Sequence, residues 1–332
     1  MKIAFFSAKP YDKLFFDRFN ASYGFTTEYY ETHLGPHIVN AISDANVVCA
    51  FVNDKLHADV IEVLAKKGVR IIALRCAGFN NVDIEAAKKF HIAVCRVPAY
   101  SPEAVAEHAV AMILTINRKT HKAYNRVREQ NFSLNGLLGY NLAGKTVGVI
   151  GTGKIGKAFT RIMLGFGCNV LATDIVRDSS LEEKGVQYVS LEELLSKSDI
   201  ISLHCPLTKE NHYLVNSRTL GLMKPGVTLV NTSRGGLINT ADIIEALKTR
   251  RVGALCIDVY EQEETLFFRD RSSDIIDDDI IQRLMSFPNV LITAHQAFFT
   301  EEALAGIARV TLDSIDRISK GKMPEKDPVM LT

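Results

Sequence analysis

The stretch Val147-Gly148-Val149-Ile150-Gly151-Thr152-Gly153-Lys154-Ile155-Gly156 decides how the rest of the chain is interpreted. Its first four residues are nearly all apolar and β-branched, which predicts a buried strand. Gly-x-Gly-x-x-Gly predicts a turn, and the amphipathic run from Ile155 to about Gly167 predicts a helix. Gly151 permits the turn, Gly153 lets the backbone approach a pyrophosphate, and Gly156 lets the helix lie close to its strand. The free N–H groups of the helix N-terminus would then bind the phosphates of a dinucleotide.

A second apolar run, Val170 to Thr173, ends at Asp174, eighteen residues after the last glycine of this motif. A carboxylate there can accept hydrogen bonds from an adenosine ribose, and its charge repels a 2′-phosphate. The unit therefore predicts NAD as the cofactor rather than NADP. About 145 residues precede it, although such a unit usually opens a domain.

Composition limits the classes of partner. The 332 residues suffice for two domains with separate cores. Lysine and arginine number 39 and aspartate and glutamate 38, so the charge favours neither nucleic acid nor an anionic membrane. The six cysteines have no metal-binding spacing, which predicts reduced thiols and no metal site. Since no signal peptide and no apolar run long enough to span a bilayer is recognised, we expect a cytoplasmic protein.

Short strands and helices alternate on both sides of the glycine motif. The predicted strands before it are Lys2–Ser7, Val47–Val52, Arg70–Leu74 and Ala93–Val97, and the predicted helices are Tyr11–Phe19, Ala58–Lys67 and Ile84–Phe90. Six strands are predicted after Lys145, beginning near Val147, Val170, Ile200, Thr228, Ala254 and Val290. This alternation predicts two parallel sheets with helices on both faces, and six strands match a doubly wound dinucleotide-binding fold.

Two long predicted helices, from Pro102 to about Arg118 and from Glu301 to about Ser319, flank the second set of strands. We interpret them as crossovers between two domains. A dinucleotide-binding domain of residues 101–296 would then be inserted into a domain built from residues 1–100 and 297–332. The cleft between the domains is the expected substrate site.

Two side chains near predicted strand ends have the chemistry to act on a 2-keto acid. Arg234 precedes a Gly-Gly turn, and a guanidinium can bind a carboxylate through two parallel N–H bonds. His295 follows a strand, and histidine is the usual acid–base group near neutral pH. Either residue could instead be structural, as a surface arginine or a hydrogen-bonded core histidine.

Three glutamates, Glu261, Glu263 and Glu264, follow another predicted strand. A carboxylate beside an imidazole stabilises the protonated ring and keeps a proton donor loaded. The pattern alone does not choose among the three, and each could lie in a solvated loop. Phe298, close to His295 in sequence, could line a small apolar pocket or pack in a core.

Six ordered motifs resemble those of the D-isomer-specific 2-hydroxyacid dehydrogenases, and the resemblance covers essentially the whole chain. They are Arg75-Cys76-Ala77-Gly78-Phe79-Asn80-Asn81-Val82-Asp83, Val97-Pro98-Ala99-Tyr100-Ser101-Pro102-Glu103, the glycine motif with Asp174, Asn231-Thr232-Ser233-Arg234-Gly235, Asp258-Val259-Tyr260-Glu261 and His295-Gln296-Ala297-Phe298. The first two and the last are similar to the D-lactate dehydrogenase branch. The resemblance implies an α/β protein with a Rossmann NAD-binding domain inserted into a flavodoxin-like substrate domain. It also implies a homodimer or a tetramer.

The resemblance implies a role for each matched residue. The catalytic residues would be Arg234, Glu263 and His295, with Glu263 selected because it stands five residues beyond Asp258. The NAD site would consist of Gly151, Gly153, Lys154, Ile155, Gly156, Asp174, Cys205, Pro206, Asn211, Thr232, Ser233, Arg234 and Asp258, with Asp258 at the nicotinamide amide. The substrate site would consist of backbone N–H groups near Ala77 and Gly78 together with Tyr100, Arg234, His295 and Phe298.

The expected activity is NADH-dependent reduction of pyruvate to D-lactate in fermentation. His295 would donate the proton, supported by Glu263, while Arg234 holds the carboxylate. Two alternatives stay open. Side chains near Tyr100 and Phe298 could admit bulkier 2-keto acids such as phenylpyruvate and 2-ketoisocaproate. The fold could also serve as an NAD(H)-sensing scaffold protein.

Overall fold

The structure of the protein is a computed structural model that describes residues 1–324 and 327–332. The chain forms two compact units. The first consists of residues Met1–Ser101 and Phe299–Thr332, and the second of residues Pro102–Phe298. Each unit is an α/β domain built on one parallel sheet, so the predicted fold class is confirmed.

The first unit contains a five-stranded parallel sheet. Its strands are β1 (Lys2–Phe5), β2 (Thr26–Tyr29), β3 (Val47–Ala50), β4 (Ile71–Leu74) and β5 (Ala93–Arg96), and its helices are α1 (Pro10–Asn20), α2 (Ala58–Lys66), α3 (Ile84–Lys89) and a C-terminal helix, Glu301–Ser319. A 3-10 turn occupies Val39–Ala41. The strand order β2-β1-β3-β4-β5 is the flavodoxin-like order.

The second unit contains a seven-stranded parallel sheet. Its strands are β6 (Thr146–Ile150), β7 (Asn169–Thr173), β8 (Gln187–Tyr188), β9 (Ile200–Leu203), β10 (Val227–Asn231), β11 (Val252–Ile257) and β12 (Val290–Ile292). Its helices are α4 (Pro102–Arg118), α5 (Thr120–Arg128), α6 (Lys154–Gly165), α7 (Ser179–Glu182), α8 (Leu191–Lys197), α9 (Ser217–Leu222), α10 (Thr240–Lys248) and α11 (Asp279–Met285), with 3-10 turns at Gly235–Leu237 and Glu263–Thr265. The strand order is β12-β11-β10-β9-β6-β7-β8. Strands β6 to β8 are added towards one edge and β9 to β12 towards the other, so the order reverses between β6 and β9. Ligands of doubly wound sheets bind at such a switch point.

Two edge strands, β2 and β8, were not predicted from the sequence. The residues of β2 are half-buried or exposed, so the segment Thr-Thr-Glu-Tyr carries no apolar run. Strand β8 is only two residues long. Seven strands follow Lys145 where six were predicted, and β8 is the one that was missed. An edge strand needs less apolar surface than a central strand, so its sequence pattern is weaker.

The C-terminal helix completes the first unit. It begins where predicted, and the Thr300 side chain caps it by accepting a 3.2 Å hydrogen bond from the Ala303 N–H. The tail beyond it returns to β5, where Met330 forms an antiparallel bridge with Cys95. The C-terminal segment therefore lies along β5, the edge strand of the first sheet.

One titratable side chain of the second unit is held uncharged by its surroundings. His204, just after β9, is half-buried, and its ring lies among buried groups. Its Nε2 lies 2.9 Å from the hydroxyl of the fully buried Ser202, and its ring centroid lies 4.8 Å from that of Phe159. Burial lowers the pKa of His204 from 6.5 to about 3, so the folded protein keeps this imidazole neutral.

We expect His204 to make folding stability fall as the pH drops from about 6.5 towards 3. In this range the unfolded chain binds a proton at His204 and the folded chain does not. The free energy of unfolding therefore falls by up to about 1.4 kcal/mol per pH unit. Urea unfolding at pH 7.5 and 5.0 measures the loss. His204→Gln is the comparison, because glutamine can still bond to Ser202 but does not titrate. If the variant loses as much stability as the wild type between these pH values, His204 does not contribute.

Candidate dinucleotide-binding and catalytic site

The glycine turn lies at the carboxyl end of β6. Gly151 has a φ of +94°, in the left-handed region that favours glycine. A Cβ at Gly156 would collide with the Gly151 carbonyl oxygen, so α6 packs this closely only because glycine stands there. A Cβ at Gly153, by contrast, would meet no atom within 4 Å among the described residues. The space beside Gly153 suits a phosphate that approaches the backbone.

The N-terminus of α6 is open to an anion. The helix begins at Lys154, and its N-cap residue, Gly153, provides no side-chain hydrogen bond. The Lys154 side chain is exposed, whereas Ile155 is half-buried. The first N–H groups of α6 are therefore left for a ligand, and the helix dipole favours a phosphate there.

Asp174 follows β7 and is bonded to the glycine turn. Its Oδ2 accepts hydrogen bonds from the Thr152 N–H, at 2.5 Å, and from the Thr152 hydroxyl, at 3.1 Å. Its Oδ1 accepts a longer bond, 3.3 Å, from the Val176 N–H. Burial works to raise the pKa of Asp174, but these hydrogen bonds outweigh it and lower the pKa below its ordinary value. Asp174 is therefore an anion with one oxygen saturated and the other less engaged.

The segments after β9 and β10 join beside this turn. The Ser233 hydroxyl donates a 2.6 Å hydrogen bond to the Cys205 carbonyl, and Asn211 Nδ2 donates a 2.7 Å bond to the Pro206 carbonyl. Thr232 is buried, and its Oγ1 has no hydrogen-bond partner in the described part of the chain. A buried hydroxyl without a partner is costly. Together with the open turn and the uncapped helix, it fits a bound dinucleotide.

Arg234 stands at the end of the β10 segment. The residue is half-buried, and its Nη1 donates a 2.7 Å hydrogen bond to the carbonyl of the preceding residue. A Cβ at Gly235 would collide with the Tyr260 backbone, so the Arg234 turn packs directly on the segment after β11. That segment leads to Glu263, and the two predicted site regions are therefore neighbours.

Glu263 and His295 form a hydrogen-bonded pair. Glu263 Oε1 lies 2.8 Å from His295 Nδ1, and both side chains are mostly buried. Glu263 Oε2 accepts a 2.9 Å hydrogen bond from the Tyr260 N–H, which fixes the carboxylate. His295 has a φ of +53°, a conformation unusual for a residue other than glycine, and its N–H donates a 2.8 Å bond to the Asp258 carbonyl. With Nδ1 engaged, Nε2 is the ring nitrogen left to meet a substrate.

The structure separates the three glutamates that the pattern left equivalent. Glu261 Oε2 accepts hydrogen bonds from the Thr240 N–H and hydroxyl at the first turn of α10. Glu264 is exposed. Of the three, only Glu263 bonds to His295 within the described residues. Glu261 therefore caps α10, and Glu264 faces solvent.

Asp258 is 1% exposed and uses both carboxylate oxygens inside the protein. Its Oδ1 accepts hydrogen bonds from the Thr293 hydroxyl, at 2.6 Å, and from the Gln296 N–H, at 2.9 Å. Its Oδ2 accepts a 2.9 Å bond from the Ala297 N–H. Asp258 therefore holds the loop that carries His295. Contact of this carboxylate with a nicotinamide amide stays a prediction.

Two aromatic rings flank the His295 imidazole. The Phe268 ring centroid lies 5.6 Å from it, and that of Phe298 lies 6.4 Å away, edge-on. Phe298 is 8% exposed, so it is both packed and close to the candidate donor. Phe268 was not predicted. It has a φ of +62°, another strained position in this site, and no sequence signal indicates such a backbone.

In the first unit, the loop after β4 is fixed by side chains that the sequence prediction missed. Arg96 Nη1 donates a 2.9 Å hydrogen bond to the Ala77 carbonyl, and the Cys76 thiol donates a 3.3 Å bond to the Gly78 carbonyl. The carbonyl and the N–H of a trans peptide point in opposite directions, so the grip on Ala77 orients the Gly78 N–H. Tyr100, further along the chain in this unit, is half-buried.

Comparisons with known proteins show which family this chain resembles. The family model for the D-isomer specific 2-hydroxyacid dehydrogenase NAD-binding domain matches residues 110–297. The chain is 54% identical to a 2-hydroxyacid dehydrogenase homolog of Haemophilus influenzae, covering 98% of both chains. It is 52% identical to the D-lactate dehydrogenase of Escherichia coli, covering 97% of this chain and 98% of that protein. The apo-structure of D-lactate dehydrogenase from Escherichia coli superposes with a TM-score of 0.92 at 48% identity, with full coverage of both chains.

Proposed function

The chain belongs to the D-isomer-specific 2-hydroxyacid dehydrogenases, NAD-dependent oxidoreductases, and on that premise we propose that it is a D-lactate dehydrogenase that reduces pyruvate. The observation that carries the proposal is the 2.8 Å pair of Glu263 and His295 in the domain that also holds the glycine turn. The 52% identity to a D-lactate dehydrogenase supports pyruvate as the substrate.

In the proposed reaction, bound NADH supplies a hydride to the keto carbon. His295 Nε2 donates a proton to the carbonyl oxygen as that oxygen becomes an alkoxide. Glu263 holds the ring through Nδ1 and so orients Nε2. Hydride and proton together convert the ketone into a secondary alcohol.

Arg234 has the chemistry to bind the substrate carboxylate. A guanidinium offers two parallel N–H bonds to a carboxylate, and its charge also stabilises negative charge that develops on the neighbouring oxygen. We assign the backbone N–H groups near Ala77 and Gly78 to the same carboxylate, and Tyr100 and Phe298 to the walls of the substrate pocket. The orientation of the Gly78 N–H by Arg96 supports this assignment.

The remaining predicted contacts belong to the cofactor. We assign the pyrophosphate to the turn at Gly153, Lys154 and Ile155, and the adenosine ribose to Asp174. We assign residues 101–296 to NAD binding and residues 1–100 with 297–332 to substrate binding. The two compact units support this division.

We propose that the enzyme assembles as a homodimer or tetramer and works in the cytoplasm. No helix of the described residues is long and apolar enough to cross a membrane.

Helix α5 buries no residue, and Phe132, Leu134 and Leu138 in the following loop are between 73% and 88% exposed. These exposed apolar side chains support the proposal that a second copy covers this surface. Light scattering after size exclusion tests the assembly, and a monomer would contradict it.

NADH oxidation against pyruvate, phenylpyruvate and 2-ketoisocaproate tests the proposed activity. We expect pyruvate to give the highest kcat/KM. A higher value for either bulkier acid would instead establish the relative with a wider pocket. Turnover of none of the three, with NADH still bound in a fluorescence titration, would favour the NAD(H)-sensing scaffold.

A further inference from the structure

We propose that Tyr188 is a positioning residue for the cofactor, and that it acts through Thr152 on the Asp174 carboxylate. The inference deepens the proposed function, because it rests on Asp174 binding the adenosine ribose. It concerns how the chain distinguishes NADH from NADPH.

Four groups form a directed chain of hydrogen bonds. The Asp178 N–H donates to the Tyr188 hydroxyl at 3.1 Å, and the Tyr188 hydroxyl donates to Thr152 Oγ1 at 2.9 Å. The Thr152 hydroxyl donates to Asp174 Oδ2 at 3.1 Å. We call this chain of bonds the Tyr188 relay.

The order of donors in the Tyr188 relay follows from what each group can do. A backbone N–H only donates, so the bond from Asp178 directs the phenol proton of Tyr188 elsewhere. That proton goes to Thr152 Oγ1, and the threonine proton is then free to go to Asp174. An ionised carboxylate only accepts, so it ends the chain.

The relay determines which oxygen of Asp174 meets the ribose. Oδ2 receives two donors from Thr152, at 2.5 and 3.1 Å, and is saturated within the protein. Oδ1 receives a longer bond, 3.3 Å, from the Val176 N–H and can accept ribose hydroxyls. A carboxylate fixed in this way cannot rotate away from a 2′-phosphate, and like charges then repel.

Secondary structure holds the first two groups of the Tyr188 relay, Asp178 and Tyr188. Tyr188 lies in β8, opposite Ala172 of β7, and the next residue donates a 2.9 Å backbone bond to the Ala172 carbonyl. Asp178 caps α7 and forms a 2.5 Å ion pair with Lys157 of α6. The short edge strand that escaped prediction thus places one hydroxyl beside the glycine turn.

The test measures the Kd of NADH and of NADPH by fluorescence titration of the full-length protein. Thr152→Val removes the donor to Asp174 but keeps the N–H, and we expect it to raise the NADH Kd about fivefold to tenfold. Tyr188→Phe should raise the NADH Kd about threefold. The NADPH Kd should stay the same or fall in both variants, because a carboxylate that can rotate repels a 2′-phosphate less. Thr152→Ser keeps the hydroxyl and should stay within about twofold of wild type.

The double variant Tyr188→Phe with Thr152→Val separates a relay from two independent effects. Both changes act through one hydroxyl, so the NADH Kd of the double variant should equal that of Thr152→Val alone. Tyr29→Phe is the matched control, because that hydroxyl donates to Asp17 in the first unit, and we expect an unchanged Kd. Thermal unfolding of each variant shows whether it is folded.

Asp174→Ala makes failure of the relay and failure of the ribose contact distinguishable. We expect it to raise the NADH Kd at least about tenfold. An unchanged Kd would overturn the ribose contact and the relay together. A raised Kd in Asp174→Ala, with folded Thr152→Val and Tyr188→Phe within twofold of wild type, would overturn the relay alone. Effects that multiply in the double variant would also overturn it.

Discussion

Replacing His295 with alanine should lower kcat for pyruvate reduction by at least about 100-fold, the scale of general acid catalysis. Nδ1 of this ring is bound to Glu263, and Nε2 is therefore the proposed donor that the variant removes. Steady-state NADH oxidation measures the loss. His57→Ala is the control, because that histidine is exposed in the first unit. A His295→Ala variant that turns over at a near-normal rate would exclude His295 as the proton donor.

The glutamates beside His295 provide a matched pair of variants. Glu263→Gln keeps the shape of the side chain but replaces the carboxylate that binds His295 Nδ1 with a neutral amide, so kcat should fall about tenfold or more. Glu261→Gln changes a carboxylate that caps α10, and its kcat should stay near that of wild type. Equal losses in the two variants would mean that the pair of Glu263 and His295 has no special role.

Replacing Arg234 with lysine should raise KM for pyruvate about 10- to 100-fold. Lysine keeps the charge but loses the two parallel N–H bonds to the carboxylate, and such charged bonds are worth about 1.5–3 kcal/mol. The KM for NADH should change less than about twofold if the effect is on substrate. Pyruvate saturation curves at fixed NADH measure the change.

Arg251→Lys is the control for the Arg234 variant. Arg251 lies in the same unit, and its guanidinium binds the Leu220 and Gly221 carbonyls outside the candidate site. We expect its pyruvate KM to match that of wild type. If Arg234→Lys also leaves KM and kcat unchanged, Arg234 does not bind the substrate.

Periodicity predicted the central elements of the fold, because buried strands and amphipathic helices leave clear patterns. The C-terminal helix begins at Glu301 as predicted, since Thr300 is a cap that the sequence displays. Strand β8 has no such pattern. Its two residues pair with β7 because the sheet has a free edge there, and a free edge is a property of the assembled sheet.

In the candidate site, the sequence indicated side chains near strand ends and the structure adds the bonds between them. The residue pattern left Glu261 and Glu263 equivalent, and only the resemblance selected Glu263. The structure shows that Glu261 caps α10 while Glu263 reaches His295. That division depends on where β11 and the 3-10 turn direct each side chain. Arg96 was missed for a similar reason, because its bond to Ala77 joins residues brought together only by the sheet.

The stereochemistry of the product shows most directly whether the protein is a D-lactate dehydrogenase. The full-length protein is incubated with pyruvate and NADH, and the lactate formed is resolved by chiral chromatography. We expect D-lactate in an amount equal to the NADH consumed. Formation of L-lactate, or NADH consumption without lactate, would contradict it.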